Sequence, residues 1–218
     1  MIQAVIFDLD GVLVTTDDSH YLAWKQMADE EGIFFSREIN QRLRGVSRME
    51  SLEIILERAD KPYSREQKQE LADRKNGYYV ALISKLTPDA LLPGALQTVN
   101  ALRAMGIKTA IGSSSKNAPA ILRQTGISDL FDAVADGNQI KNSKPAPDVF
   151  LLAAELLELP AGECLVVEDA DAGVEAGVQA GMMVLAVGAA AGNKKAQLSA
   201  GTLEQIELAG WVRDYNLN

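Results

Sequence analysis

The stretch Val5-Ile6-Phe7-Asp8-Leu9-Asp10-Gly11-Val12 decides the architecture. Its apolar run is too short for anything but a buried strand, and it stops at two carboxylates one residue apart, followed by a glycine that lets the chain turn. Asp8 then stands at the C-terminal end of a strand, where open α/β sheets receive their ligands. Alternate residues of an extended segment point the same way, so Asp8 and Asp10 start on one side and can share one metal or one substrate. A carboxylate can attack phosphorus and carry the phosphoryl group as an aspartyl-phosphate, which splits a hard transfer into two easier ones. Its neighbour can lend or take the proton on the oxygen that leaves or attacks, provided the environment separates the two pKa values. The plainer alternative is an acidic strand-to-loop turn, because Asp is common in turns.

Beyond this strand the pattern turns helical. No convincing strand falls between about residues 17 and 87, and that segment reads as an inserted helical unit. Asp17, Asp18 and Ser19 are the expected caps of its first helix, whose apolar face is Ala23, Trp24, Met27 and Ala28, with His20 on the same stripe and Gly32 as the stop. Ser36 opens a short helix holding Ile39 and Leu43. Ser47-Arg48-Met49-Glu50 and Ser64-Arg65-Glu66-Gln67 both fit capping boxes. The first leads into a face of Leu52, Ile55, Leu56 and Ala59. The second leads into a long helix whose stripe of Leu71, Tyr78, Leu82 and Leu86 is interrupted by Lys75.

After Leu92-Pro93-Gly94, strand and helix alternate, as in a mostly parallel sheet with helices on both faces. The expected helices cover 95–105, a segment capped by Asn117 and ending near Gly126, 147–158, 171–180 and a tail that contains Trp211. The expected strands cover 107–111, 133–135, 165–167 and 183–187. Gly173, Gly177 and Gly181, four apart, read as tight packing of a helix on the sheet, with a special contact surface as the other possibility.

A chain of 218 residues accommodates one large domain or a core with a smaller one inserted. The formal charge of -9 disfavours nucleic acid or an anionic membrane as the main partner, since both reward a basic surface. No apolar stretch approaches the ~20 residues of a membrane span, and no basic leader precedes an apolar one, so a soluble, unprocessed chain is expected. Cys164 is the single cysteine and lies in an apolar run, which predicts a buried thiol and, by default, a reducing, cytoplasmic location.

Chemical side chains thus mark three strand ends: Asp8 and Asp10, then Ser113 with its neighbours, then Glu168 and Asp169. Lys144 follows a fourth. Parallel strands present their C-terminal ends on one edge, so these distant groups converge there. Oxygen ligands from Asp8, Glu168, Asp169 and one backbone carbonyl suit Mg²⁺, with Asp10 counted among the ligand residues. Ser113 can hydrogen-bond a phosphoryl oxygen and Lys144 can neutralise its charge. Taken singly, the serines also read as a local turn, Lys144 as a solvated loop residue and Asp169 as a helix N-terminal acid.

In these motifs the sequence resembles the haloacid dehalogenase superfamily of phosphotransferases along essentially the whole chain. Asp8-Leu9-Asp10-Gly11-Val12 looks like its first motif, Ser113 its second, Lys144 its third and Glu168-Asp169 its fourth. A narrower resemblance, to the β-phosphoglucomutase-like subgroup, rests on Thr16, His20, Ala23-Trp24, Arg44 to Arg48, Arg74-Lys75-Asn76, Ser115-Lys116-Asn117 and Ser143 to Asp148. The resemblance implies a Rossmann-like parallel sheet in strand order 5-4-1-2-3, formed by residues 1–15 and 88–218, with an all-helical cap inserted at 16–87. It implies Asp8 as phosphorylated nucleophile and Asp10 as general acid and base, with His20 and Lys75 helping to position Asp10 and the closed cap. Arg48 would bind the non-transferring phosphate. Gly45 and Val46 would line the sugar site, with Thr16 and Trp24 beside them. Ser114, Ser115, Lys116 and Asn117 would hold substrate from the core side.

The implied reaction is interconversion of β-D-glucose 1-phosphate and glucose 6-phosphate by a monomeric, Mg²⁺-dependent enzyme, through an aspartyl-phosphate and glucose 1,6-bisphosphate. A sugar-phosphate phosphatase with the same core and a non-catalytic sugar-phosphate-binding regulator are the rival readings. One departure stands at the hinge: the subgroup commonly has Asp before the threonine, whereas Thr15 precedes Thr16 here.

Overall fold

In the computed structural model, which describes residues 1–43 and 46–218, β1 (Ala4–Phe7) is buried along its whole length at the centre of a parallel sheet. Its neighbours are β2 (Lys108–Gly112) and β4 (Cys164–Glu168), and beyond them lie β3 (Ala133–Ala135) and β5 (Met183–Ala186). A two-residue strand, β6 (Leu198–Ser199), extends the edge, so the order among the described residues is β3-β2-β1-β4-β5-β6. The expected five-strand order is present, with β6 added outside it. Phe7 pairs with Ile111 on one side and Val167 on the other, so Asp8, Ser113 and Glu168 all emerge at one edge.

Residue alternation along the strands builds two cores. Val5, Phe7, Ile111, Leu165 and Val167 face one side, with α5 (Ala95–Ala104), α6 (Ala118–Thr125) and α9 (Leu208–Leu217). Ala4, Ile6, Ala110, Val166 and Val184 face the other, with α7 (Asp148–Leu156) and α8 (Asp171–Gln179). Gly177 lets α8 sit close to the sheet: a Cβ there would stand 2.8 Å from Val184. Gly181 has open space and instead takes the left-handed turn at φ +74° after the helix.

Between β1 and β2 run α1 (Asp17–Glu30), α2 (Arg37–Gln41), α3 (Arg48–Leu56) and α4 (Arg65–Ile83). They share a separate apolar cluster around Trp24, Met27, Phe35, Leu52, Ile55 and Leu71. Ser36 caps α2 as expected, and both capping boxes form, at Ser47/Glu50 and Ser64/Gln67. Ala59 falls beyond the end of α3.

Two expectations need correction. None of Asp17, Asp18 and Ser19 caps α1: the residue before the helix is Thr16, whose hydroxyl is drawn to Asp10. The buried stripe of α4 continues from Leu71 through Lys75 to Tyr79 and Ile83, four apart, rather than through Tyr78 and Leu82. Those two lie half-buried on the flank, where the Tyr78 hydroxyl donates to Glu30 at 2.8 Å.

Candidate active site

The C-terminal edge of the sheet and the inner faces of α1, α3 and α4 enclose a cavity of about 750 Å³. Every residue nominated from the sequence lines it except Gly45, which lies outside the described residues, as does Arg44.

The floor is made at the ends of β1 and β4. Asp8, Glu168 and Asp169 each offer an oxygen within 4.8 Å of the others. Lys144, 3% exposed, donates to Asp8 Oδ1 and Glu168 Oε1, both at 2.5 Å. The other Glu168 oxygen accepts from the Ala170 N–H at 2.9 Å. Burial pushes the Asp8 carboxyl well above its usual range. Lys144 opposes this, and the charges of Glu168 and Asp169 reinforce it. For Lys144, burial alone would lower the pKa, but the two carboxylates together hold it above normal.

One lysine leaves excess negative charge among three clustered carboxylates, and a hard cation fits such an oxygen donor set. Two glycines keep the space open. A Cβ at Gly11, at φ +85°, would stand 2.1 Å from the Asp169 carboxylate, and one at Gly173 would stand 1.8 Å from Glu168 Oε1. Of the three glycines four apart, Gly173 and Gly177 therefore serve close packing, and Gly173 packs on this cluster. The Asp10 carboxylate is not among the three, so any ligand role for that residue would fall to its main chain.

The serine loop after β2 forms the local turns that were its alternative reading. Ser113 Oγ accepts from the Ser115 N–H and Ser115 Oγ from the Asn117 N–H, each at 3.2 Å. Ser114 Oγ accepts from the Lys144 N–H at 3.3 Å and so ties this loop to the one bearing the lysine. Asn117 precedes α6 without capping it. Its Nδ2 instead donates to Asn76 Oδ1 of α4 at 3.1 Å, across the cavity seam. Lys116 is exposed at the rim.

The helical side supplies Val46, Arg48 and a buried polar group. Arg48 is the first residue of α3, and its side chain is 27% exposed, with Nη1 4.0 Å from Asp73. Burial lowers its pKa against the pull of Asp73. Lys75, 3% exposed, contacts His20 Nδ1 at 3.0 Å and lies 4.6 Å and 4.7 Å from the ring centres of Trp24 and Tyr79. Trp24 is thus core of the helical unit as well as cavity wall. Burial, then the Arg48 charge, brings Lys75 down to about 7, with Asp10 opposing. Burial and the charges of Lys75 and Arg48 drive His20 well below its usual value. Asp10 is pushed up to about 6, chiefly by burial, against the Thr16 hydrogen bond.

Tyr79 went unread in the sequence, although the four-residue step from Lys75 pointed to it. Asp17 and Lys141 also line the cavity without having been nominated.

Fold and cavity define a class first: an α/β enzyme that works at the carboxyl ends of a parallel sheet, beside a cluster suited to a hard cation. A model of the haloacid dehalogenase-like hydrolases matches residues 2–181. A β-phosphoglucomutase of Bacillus subtilis is 48% identical over 188 residues, covering 85% of this chain and 83% of that protein. A phosphorylated carbohydrates phosphatase of Thermotoga maritima is 30% identical, covering 94% of each. The crystal structure of a β-phosphoglucomutase from Clostridium difficile superposes with a TM-score of 0.91 at 40% identity, covering 100% of this chain and 98% of that one. The chain belongs to the haloacid dehalogenase-like family, in its β-phosphoglucomutase-like subgroup, and is an enzyme of this kind. No helix among the described residues is long and apolar enough to cross a membrane.

Proposed function

We propose that the protein interconverts β-D-glucose 1-phosphate and glucose 6-phosphate in the cavity between a core of residues 1–15 and 88–218 and a helical cap of residues 16–87. The observation that carries this reading is Arg48, on the wall of the cavity that also holds Asp8. A phosphatase needs one phosphate site, whereas a mutase must also hold a phosphate that is not reacting. Arg48 is placed for that task at the start of α3, where free backbone N–H groups and the helix dipole also favour an anion.

In the cycle, the sugar 6-hydroxyl attacks phosphorus carried on Asp8, Asp10 takes its proton, and the bond from phosphorus to Asp8 breaks. The resulting 1,6-bisphosphate turns end for end. Asp8 then attacks the phosphorus at C1, and Asp10 returns its proton to the departing C1 oxygen. A carboxyl brought to about 6 suits this exchange near neutral pH. Lys144 donates to Asp8, opposing the burial that favours its neutral form, and, with the Ser113 hydroxyl, meets charge on the phosphoryl oxygens. A Mg²⁺ ion held by Asp8, Glu168, Asp169 and a main-chain carbonyl assigned to Asp10 would supply further neutralisation of that charge.

Val46 and Trp24 line the sugar, and Gly45 is assigned beside them. Ser114, Ser115, Lys116 and Asn117 hold substrate from the core. Thr16, His20 and Lys75 stand behind Asp10. Closure of the cap excludes water, which otherwise competes for the aspartyl-phosphate. Cys164, buried and with its thiol pushed up to about 11 by burial, fits a reducing compartment such as the cytoplasm.

The test supplies β-glucose 1-phosphate, a trace of the 1,6-bisphosphate and Mg²⁺. Glucose 6-phosphate should accumulate well ahead of inorganic phosphate, Asp8→Asn should stop turnover, and Arg48→Ala should raise KM by about tenfold or more. Inorganic phosphate as the main product would establish the phosphatase reading instead, and full mutase activity in Arg48→Ala would remove the second phosphate site.

A further inference from the structure

Where α3 and α4 meet, the first carries Arg48 and the second a carboxylate facing it. Among the described residues, Asp73 is the carboxylate within 4.0 Å of the Arg48 guanidinium, measured from Oδ1 to Nη1. That separation is beyond hydrogen-bond length, so this N–H is not spent on Asp73. Gln69, one turn earlier on α4 and on the cavity wall, holds the carboxylate in place: its Nε2 donates to both oxygens at 3.1 Å. The Asp73 side chain is 62% exposed and that of Arg48 27%, and an ion pair this open adds little to folding. Asparagine would accept from Gln69 as well, so stability does not account for a charge at position 73.

Arg48 is the group assigned to the phosphate that is not reacting, and a phosphate seated on it lies near Asp73, anion beside anion. A mutase has to let that phosphate go, because the bisphosphate leaves Arg48 by one end and returns by the other. Tighter binding of the ground state lowers KM and adds nothing to kcat. We propose that Asp73 acts through Arg48 as a built-in counter-anion, weakening its hold on phosphate so that the bisphosphate can be released and reversed. Asp73 leaves the arginine's hydrogen-bonding fork open and offsets only its charge, so recognition of phosphate is kept while its grip is loosened. The inference rests on the reading of Arg48 as the second phosphate site and adds what sets the strength of that site.

The experiment titrates glucose 6-phosphate calorimetrically into Mg²⁺-free parent, Asp73→Asn, Arg48→Ala and the double variant, since without the cation the clustered carboxylates of the floor disfavour phosphate there. Asp73→Asn should bind about threefold to tenfold more tightly, with Tm within about 2 °C of the parent. The gain should shrink between about 0.05 and 0.5 M salt, as charges are screened, and vanish in the Arg48→Ala background. In turnover with Mg²⁺ and the bisphosphate, KM for β-glucose 1-phosphate should fall by a similar factor and kcat by about twofold or more, because reversal slows. An affinity unchanged or weakened, a gain that is constant with salt or survives in Arg48→Ala, or a kcat unchanged or raised would overturn the inference. If Arg48→Ala weakens binding while Asp73→Asn does not tighten it, this inference fails and the second phosphate site stands. If Arg48→Ala binds as tightly as the parent, or the parent releases only inorganic phosphate, the mutase reading fails and takes this inference with it.

Discussion

Lys75→Met should make the ligand-free protein more stable and a poorer enzyme, and the gain in stability should fade as pH rises. The Lys75 ammonium is 3% exposed and is set between two aromatic rings and a neutral imidazole. Its pKa falls from 10.5 to about 7, through burial first and Arg48 second. At about 1.36 kcal/mol per pH unit, the folded state therefore disfavours the charged form by on the order of 5 kcal/mol. Contacts with the two rings return about 2 kcal/mol, and methionine fills nearly the same volume without a charge. The net gain for the variant is about 3 kcal/mol, or about 6–12 °C in a chain of this size.

The sign with pH follows from proton counts. Below about 7 both folded and unfolded states carry the proton, and the folded state bears the full cost. Between about 7 and 10.5 the unfolded chain keeps a proton that the folded one has released, so the cost is relieved as pH rises. Above that window it is gone. Thermal unfolding of parent and variant, each ligand-free, at pH 6.5, 8 and 9.5 measures the difference and cancels the other titrating groups. The variant's advantage should be greatest at pH 6.5 and small at pH 9.5, while kcat falls by about tenfold because a charge beside Asp10 is lost. A variant less stable than the parent at pH 6.5, or an advantage constant across the range, would refute the reasoning.

Gly173→Ala should abolish cation binding by displacing Glu168, 1.8 Å from the added Cβ. Calorimetric titration with Mg²⁺ reads this directly, and an affinity within about threefold of the parent would contradict it. Glu158→Gly should stabilise by about 0.5–1 kcal/mol, because Glu158 holds φ 57° after α7 in a position that suits glycine. Its N–H bonds Glu155 O and the next N–H bonds Ala154 O, a left-handed helix end that urea unfolding can weigh. Asn216→Ala should cost about 2 kcal/mol, seen as a drop in Tm, since Asn216 accepts from the Ile2 N–H at 2.6 Å and donates to the Ile2 carbonyl at 2.8 Å.

What was legible in the sequence, and what was not, divides along one physical line. The buried run ending at Asp8 and the capping serines at 36, 47 and 64 act through neighbours in the chain, so local pattern sufficed. β6 escaped because two residues joined to an edge by backbone pairing leave no side-chain period to read. The stripe of α4 slipped at Tyr78 and Leu82 because both flank and face are apolar there, and only packing decides which is buried. The misread caps have a different cause. Thr16 and Asn117 both precede helices and both have a competing partner across the cavity seam, Asp10 and Asn76. Ser47, on the cavity wall, and Ser64, exposed, keep their oxygens for the N–H groups three residues on and cap as expected. A cap hydrogen bond is worth about 1 kcal/mol, so a competing hydrogen bond, to a carboxylate at Thr16 and amide to amide at Asn117, is enough to take the side chain away. Local rules therefore fail at Thr16 and Asn117, where a second side chain claims the capping group, and hold at Ser47, which lines the same cavity but keeps its oxygen for the helix.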